Sequence, residues 1–303
     1  MPRLLRILAP NPSVHTLEGT NTWILGSDPA LVIDPGPDVA EHLEEVAAAA
    51  GRVGLVLLTH DHPDHAPGAL PFAERVGAPL HAFRLEGAEH LRDGQTLEAG
   101  DLRIVAVHTP GHTPDHVVFH VPTLGALFTG DAVLGRGTSF IDPPEGDLIQ
   151  YLRSLRRMQE LAPRILYPGH GPAVMRGPAK LQEYLDHRAE REEQVLAALA
   201  EEPRTVAQMV QTIYASYPLE VHALAARSVL AHLLKLQAEG RVGSKGKGEA
   251  ALWRALTPRP CQRCGKPVKG RARYCSSCTV VLLQEGAAAG VPAEPDPPSG
   301  HGS

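Results

Sequence analysis

Apolar and polar positions alternate in blocks over the first 175 residues. Short apolar runs, each ending in a polar loop, fall at Ala30–Ile33, Val53–Leu58, Leu102–Val107, Val117–Val121, Gly125–Phe128 and Ile165–Tyr167. Runs this short suit strands. Between some of them the spacing turns helical, at Val39–Ala50 and Leu148–Leu161. Strands interleaved with helices predict an α/β layered domain.

The pattern changes at Ala179. Residues 179–200 (AKLQEYLDHRAEREEQVLAALA) place Leu and Val at helical spacing with charged i,i+4 pairs, which predicts one long amphipathic helix. Pro203 ends it. Thr205 can cap a short helix running to Tyr217, and a third helical run spans Leu219–Glu239 before Gly240. VGSKGKGEAALWRAL then reads as strand, Gly/Lys tip, strand. Three helices and a hairpin outline a winged helix; a helical lid or an oligomerisation module would give the same outline. The expected units are 1–178, 179–257, 258–281 and 282–303, the last a Pro/Gly/Ala-rich tail expected to be disordered.

Hydrophobic residues make up 43% of the 303, enough for a sizeable core, and with 4% aromatics it must be largely aliphatic. The net charge is −5, but Arg241–Cys278 holds ten Lys/Arg against one acid, Glu249. A basic end on an acidic body is expected where that end meets a polyanion, and a solvated basic linker gives the same asymmetry. The opening MPRLLRILAPNPS is too short and too soon broken by proline for a signal peptide, and no apolar run approaches the ~18 residues of a membrane span. A cytoplasmic protein without a membrane segment is expected, its oligomeric state open.

The chemistry concentrates in Thr59-His60-Asp61-His62-Pro63-Asp64-His65, directly after an apolar run. In extended chain His60 and His62 can point the same way, while Asp64 and His65 face a second point. One short segment can so begin two adjacent metal sites. Three further loops bring His112, Asp131 and His170 just beyond apolar runs, where open α/β sheets place their sites. A glycine precedes each of the three, allowing a sharp turn and close approach. Five imidazoles and two carboxylates suit two catalytic Zn²⁺, with Mn²⁺ or Fe²⁺ as alternatives. Without a metal, each unpaired buried polar group would cost roughly 1–3 kcal/mol. Other histidines, His187 and His232 among them, read as helix-surface or core positions. His116 reads either as a strand start or as a group backing the site.

The motifs THDHPDH, TPGHT, FTGD and PGHG, in this order, resemble the metallo-β-lactamase superfamily over residues 1–178. The resemblance implies a four-layer αββα sandwich with the metals at one edge. It implies that His60, His62 and His112 hold one zinc, that Asp64, His65 and His170 hold the second, and that Asp131 bridges both. NPSVHTLEGTNTW, GDAVLGRGTSF and LYPGHGPAVMRGPAKLQEYLDHRAEREEQVL are similar to the β-lactamase-like group that includes the mitochondrial single-strand endoribonuclease and fungal carrier-protein thioesterases. The winged-helix outline extends that match to about residue 257. Thr20, Asn21 and Ser139 lie in segments resembling loops beside that group's active site, and are candidate substrate contacts.

Cys261, Cys264, Cys275 and Cys278 form two CxxC pairs ten residues apart. Four thiolates at this spacing suit one structural Zn²⁺ in a small ribbon, and a pair of redox CxxC motifs is the alternative. Lys266, Lys269, Arg271 and Arg273, with Tyr274 beside them, could meet phosphates and a stacked base.

The expected reaction is metal-assisted hydrolysis with Asp64 and Asp131 as the catalytic carboxylates. Three functions compete. A single-strand endoribonuclease draws on the resemblance and the basic section, with single-stranded RNA as partner. A thioesterase or small-ester hydrolase draws on the same metal site and the acidic body. A nucleic-acid-binding adaptor would leave the intact ligand set without a purpose.

Overall fold

The computed structural model describes residues 3–256, 259–265, 267–268, 274 and 277–282. Two sheets face each other. The first runs in chain order: β1 (Leu4–Leu8), β2 (Asn21–Leu25), β3 (Ala30–Ile33), β4 (Val53–Leu57), β5 (Leu80–Ala82) and β6 (Glu89–His90). The second has β7 (Thr96–Ala99), β8 (Leu102–His108), β9 (Val117–Val121), β10 (Ala126–Gly130) and β11 (Ile165–Pro168), in the order β11-β10-β9-β8-β7. The strands from β3 to β6 pair in parallel, as do β10 and β11. Four strands that deliver the site, β4, β8, β10 and β11, therefore end towards loops that can meet.

Strand periodicity explains the layering. In β3, Leu31 and Ile33 join a core between the sheets with Leu57, Ile104, Phe119 and Phe128. Its alternate residues Ala30 and Val32 join a second core beneath α1 (Ala40–Ala50) and α2 (Ala69–Val76). In the other sheet Val118 and Leu127 face α3 (Leu148–Glu160) and α4 (Gly177–Ala198) through Tyr151, Leu155, Leu181 and Tyr184. Strands buried on both faces read as unbroken apolar runs, which is why these were visible in the sequence. The result is the four-layer αββα sandwich.

α4 leaves the sandwich and enters the C-terminal unit, where Val195 packs with α5 (Val206–Ile213), α6 (His222–Ala238) and Trp253. Thr205 caps α5 with a full capping box to Gln208. A 3₁₀ turn at Leu219–Val221 precedes α6, so the third helix starts later than the apolar pattern predicts. The hairpin of β12 (Val242–Lys245) and β13 (Leu252–Ala255) completes a winged helix. Among the described residues no helix is long and apolar enough to cross a membrane.

Candidate metal centre and cleft

The loops after β4, β8, β10 and β11 bring all seven expected ligands together. The ligand atoms of His60, His62, His112 and Asp131 lie within 4.8 Å of one another, as do those of Asp64, His65, Asp131 and His170. Asp131 belongs to both groups.

Each imidazole is oriented from behind. Thr59 Oγ1 donates to Asp34 Oδ2 at 2.8 Å, so the contact of 3.0 Å between His60 Nδ1 and Thr59 Oγ1 is a donation from the ring. His65 Nδ1 lies 3.0 Å from Asp34 Oδ2. His112 Nδ1 donates to Phe140 O at 2.8 Å, and His170 Nδ1 to Gly19 O at 3.2 Å. Four rings therefore turn Nε2 inward. His62 instead offers Nδ1, at 3.1 Å from His112 Nε2, with Nε2 3.6 Å from Glu145 Oε2. His65 Nε2 and His170 Nε2 lie 3.4 Å apart.

Ring nitrogens this close repel unless a proton or a metal ion sits between them. The buried His60 Nε2 and Asp131 Oδ1 have no hydrogen-bond partner. The donor set therefore fits two metal ions sharing Asp131, with nitrogen and oxygen ligands suited to zinc, manganese or iron.

The electrostatics point the same way. Burial pushes the Asp64 carboxyl up, but the hydrogen bond with His170 and the charge of His65 outweigh it and hold it at about 2. Burial pushes His170 down, yet Asp131 and Asp64 raise it to about 9. Burial and the charge of His65 hold His60 well below the ordinary histidine range. So many opposed shifts in one buried cluster mark a site suited to cations.

Two positions differ from the sequence expectation. Thr20 and Asn21 are fully buried and do not line the cleft. Asn21 Nδ2 instead donates to Pro168 O and Gly171 O at 2.9 and 2.8 Å, pinning the His170 loop. Thr20 Oγ1 donates to Asp64 Oδ2 at 3.4 Å. Both residues act on ligand loops because Asn21 opens β2, a strand buried along its whole length, and Thr20 directly precedes it and bridges to His170. Ser139 does line the cleft, and its hydroxyl donates to Asp131 O at 2.6 Å. His116, at the threshold of β9, accepts the Asp131 N–H at Nε2 over 3.2 Å, so it backs the site.

Asp34 was not singled out from sequence. It directly follows the apolar run Ala30–Ile33, as the Thr59–His65 segment follows Val53–Leu58, and that signal could have found it. Cys261, Cys264 and Cys278 converge, their sulfurs within 4.8 Å, while Cys275 lies outside the described residues. Lys266, Lys269, Arg271, Arg273 and the tail from Leu283 onward also lie outside them.

A cleft of about 960 Å³ opens on His62, Asp64, His112, Asp131 and His170. Its outer walls come from Val14, Leu17, Phe140, Tyr214, Val221 and Leu224. Helices of the C-terminal unit thus close one side of it.

An αββα sandwich with paired His/Asp metal groups at the sheet edge defines a metal-dependent hydrolase. The chain belongs to the metallo-β-lactamase superfamily, whose profile matches residues 15–170. The β-lactamase-associated winged helix domain matches residues 205–253. An atrochrysone carboxyl ACP thioesterase of Aspergillus fumigatus is 36% identical over 277 residues, covering 83% of this chain and 86% of its own. A β-lactamase-like protein 2 homolog of Drosophila melanogaster is 34% identical over 268 residues, covering 79% and 89%. The crystal structure of a metallo-β-lactamase family protein from Thermus thermophilus superimposes with a TM-score of 0.70 at 24% identity, covering 84% of this chain and 98% of that one. A β-lactamase domain protein from Burkholderia ambifaria gives 0.72 at 23%, covering 84% and 91%. These two structural likenesses speak to the fold alone.

Proposed function

We propose that the chain hydrolyses a small ester or thioester, not an RNA phosphodiester. The observation that carries this reading is the apolar-walled cleft ending on Asp64 and Asp131. An acyl chain gains from leaving water along Val14, Leu17, Phe140 and Leu224. A phosphodiester backbone needs cationic groups repeated along its path, and among the described residues the Lys/Arg lining of the cleft is Arg136, Arg188 and Arg191 alone. Of the basic section that had favoured RNA, Arg241, Lys245, Lys247, Arg254 and Arg263 do not line the cleft. The 36% identity to a protein named a thioesterase supports the same choice.

Two bound metal ions, zinc by preference, would polarise the carbonyl and lower the pKa of water. His60, His62, His112 and Asp131 would hold one, and Asp64, His65, His170 and Asp131 the other. Asp64 lines the cleft as a carboxylate ionised at neutral pH, placed to accept the proton of the attacking water. Asp131 is held by its own amide on His116 and by Ser139 on its carbonyl. The test is turnover of an acyl thioester by the metal-loaded protein and by Asp64→Ala.

A separate structural zinc fits the thiols of Cys261, Cys264 and Cys278. Cys275 is the fourth ligand by spacing. Four thiolates leave no open position for water, so this ion would fold the segment and take no part in hydrolysis.

A further inference from the structure

On α4, His187, Arg188 and Arg191 fall at helical spacing on one face, and all three line the cleft. Arg188 is only 4% exposed and Arg191 8%. The ion pairs of this helix run from Lys180 to Glu183 and from Glu192 to Lys235 and Arg241. They leave both arginines out, and among the described residues no carboxylate pairs with either. The Nε of each is buried without a hydrogen-bond partner. Arg188 donates to the carbonyl of Ser139 and lies 5.3 Å from the centre of the Tyr151 ring. Arg191 donates to Gln194 Oε1 at 2.7 Å and lies 4.2 Å over Tyr214. Behind them His232, from α6, is buried with neither ring nitrogen partnered.

Two buried guanidiniums without a counter-ion form an incomplete arrangement. The tyrosine faces attract cations but carry no net charge. An unpaired buried charge destabilises the fold, and an anion arriving through the cleft would supply what the protein does not. The position is tied to the reaction centre, since Ser139 accepts from Arg188 at its carbonyl and donates to Asp131 O at 2.6 Å from its hydroxyl.

We infer that Arg188 and Arg191 form an anion subsite that grips a carboxylate or phosphate of the substrate while the scissile acyl group lies against Asp64 and Asp131. This rests on the ester-hydrolase reading and narrows it to acyl compounds bearing a negative charge remote from the reacting carbonyl. That charge can come from the acyl chain, as a terminal carboxylate, or from the departing thiol, as a phosphate. A guanidinium fork suits either, and no residue in the subsite favours one.

The experiment uses matched thioesters. One pair differs only in a terminal carboxylate against a methyl on the acyl chain. The other differs only in a phosphate on the thiol. The metal-loaded protein should favour the charged member of one pair by about tenfold or more in kcat/KM, mainly through KM. Which pair shows the preference identifies the source of the charge. In Arg191→Gln the preference should collapse to about one, and Arg191→Lys should restore part of it, because charge returns without the fork. No preference in either pair overturns the inference, as does a preference that survives in both Arg191→Gln and Arg188→Gln.

If no thioester is turned over, the ester reading fails while the subsite is still decided by calorimetric titration with glutarate and with inorganic phosphate. Binding of either that weakens about tenfold in Arg191→Gln supports the subsite. Equal binding by both proteins shows that the anions sit elsewhere and overturns it.

Discussion

His65 Nδ1 lies 3.0 Å from Asp34 Oδ2, with both side chains almost completely removed from solvent. The same carboxylate accepts the Thr59 amide at 2.8 Å and the Thr59 hydroxyl at 2.8 Å, and Thr59 in turn orients His60. One aspartate therefore sets the tautomer of an imidazole in each metal group. Asp34→Asn keeps the volume but loses the charge. It should weaken metal binding by about 10–100-fold, read by competition with a chelator. Unchanged affinity would remove Asp34 from the site.

Gly169 precedes His170, and a Cβ there would meet Asp131 Oδ1 at 2.6 Å and His65 Cε1 at 2.7 Å. Both are parts of the second metal group, so the glycine serves close approach. Gly169→Ala should lower turnover by about 10²-fold through misplacement of these ligands. Thermal unfolding would check that the fold persists, and full activity would contradict the placement.

Much of this was legible beforehand, for physical reasons. β3 and β9 were readable to the residue because both their faces are covered, so β3 is wholly apolar and β9 is apolar but for His120. The convergence of the seven candidate ligands was readable because so many His and Asp gathered at strand ends are costly to bury unless a metal pairs them. Arg188 and Arg191 were not readable. On an amphipathic helix full of charges, nothing in the spacing separates a buried guanidinium from a solvated one; only the packing of α4 between the sandwich and α6 does. Thr20 and Asn21 misled for a related reason. Polar residues beside a site look like substrate contacts until the groups they bind are seen, as with the Pro168 and Gly171 carbonyls that hold Asn21.

His232 should leave a mark on stability. Burial holds its pKa well below the ordinary 6.5, and Arg188 and Lys235 push the same way. The folded ring stays neutral while the unfolded one takes up a proton near 6.5, so below that pH the unfolded state binds more protons. Stability is thus full above about pH 6.5 and falls as the pH drops, with a limiting slope of about 1.4 kcal/mol per unit. His232→Leu should flatten the dependence of unfolding free energy on pH between about 6.5 and 5. Equal slopes in the two proteins would show that His232 is protonated in the fold.

Removing one thiol separates the two kinds of metal. Cys264→Ser should lower the zinc content by one ion per chain and leave ester turnover in place. Loss of turnover together with that ion would mean that the cysteine site supports the reaction centre.

The most direct measurement sets an acyl thioester and a labelled single-stranded RNA before the same zinc-loaded protein, with Asp64→Ala as the control. The account predicts that the thioester is hydrolysed, that the activity vanishes in the variant, and that the RNA stays intact. RNA cleavage that vanishes in the variant, with the thioester untouched, would contradict it.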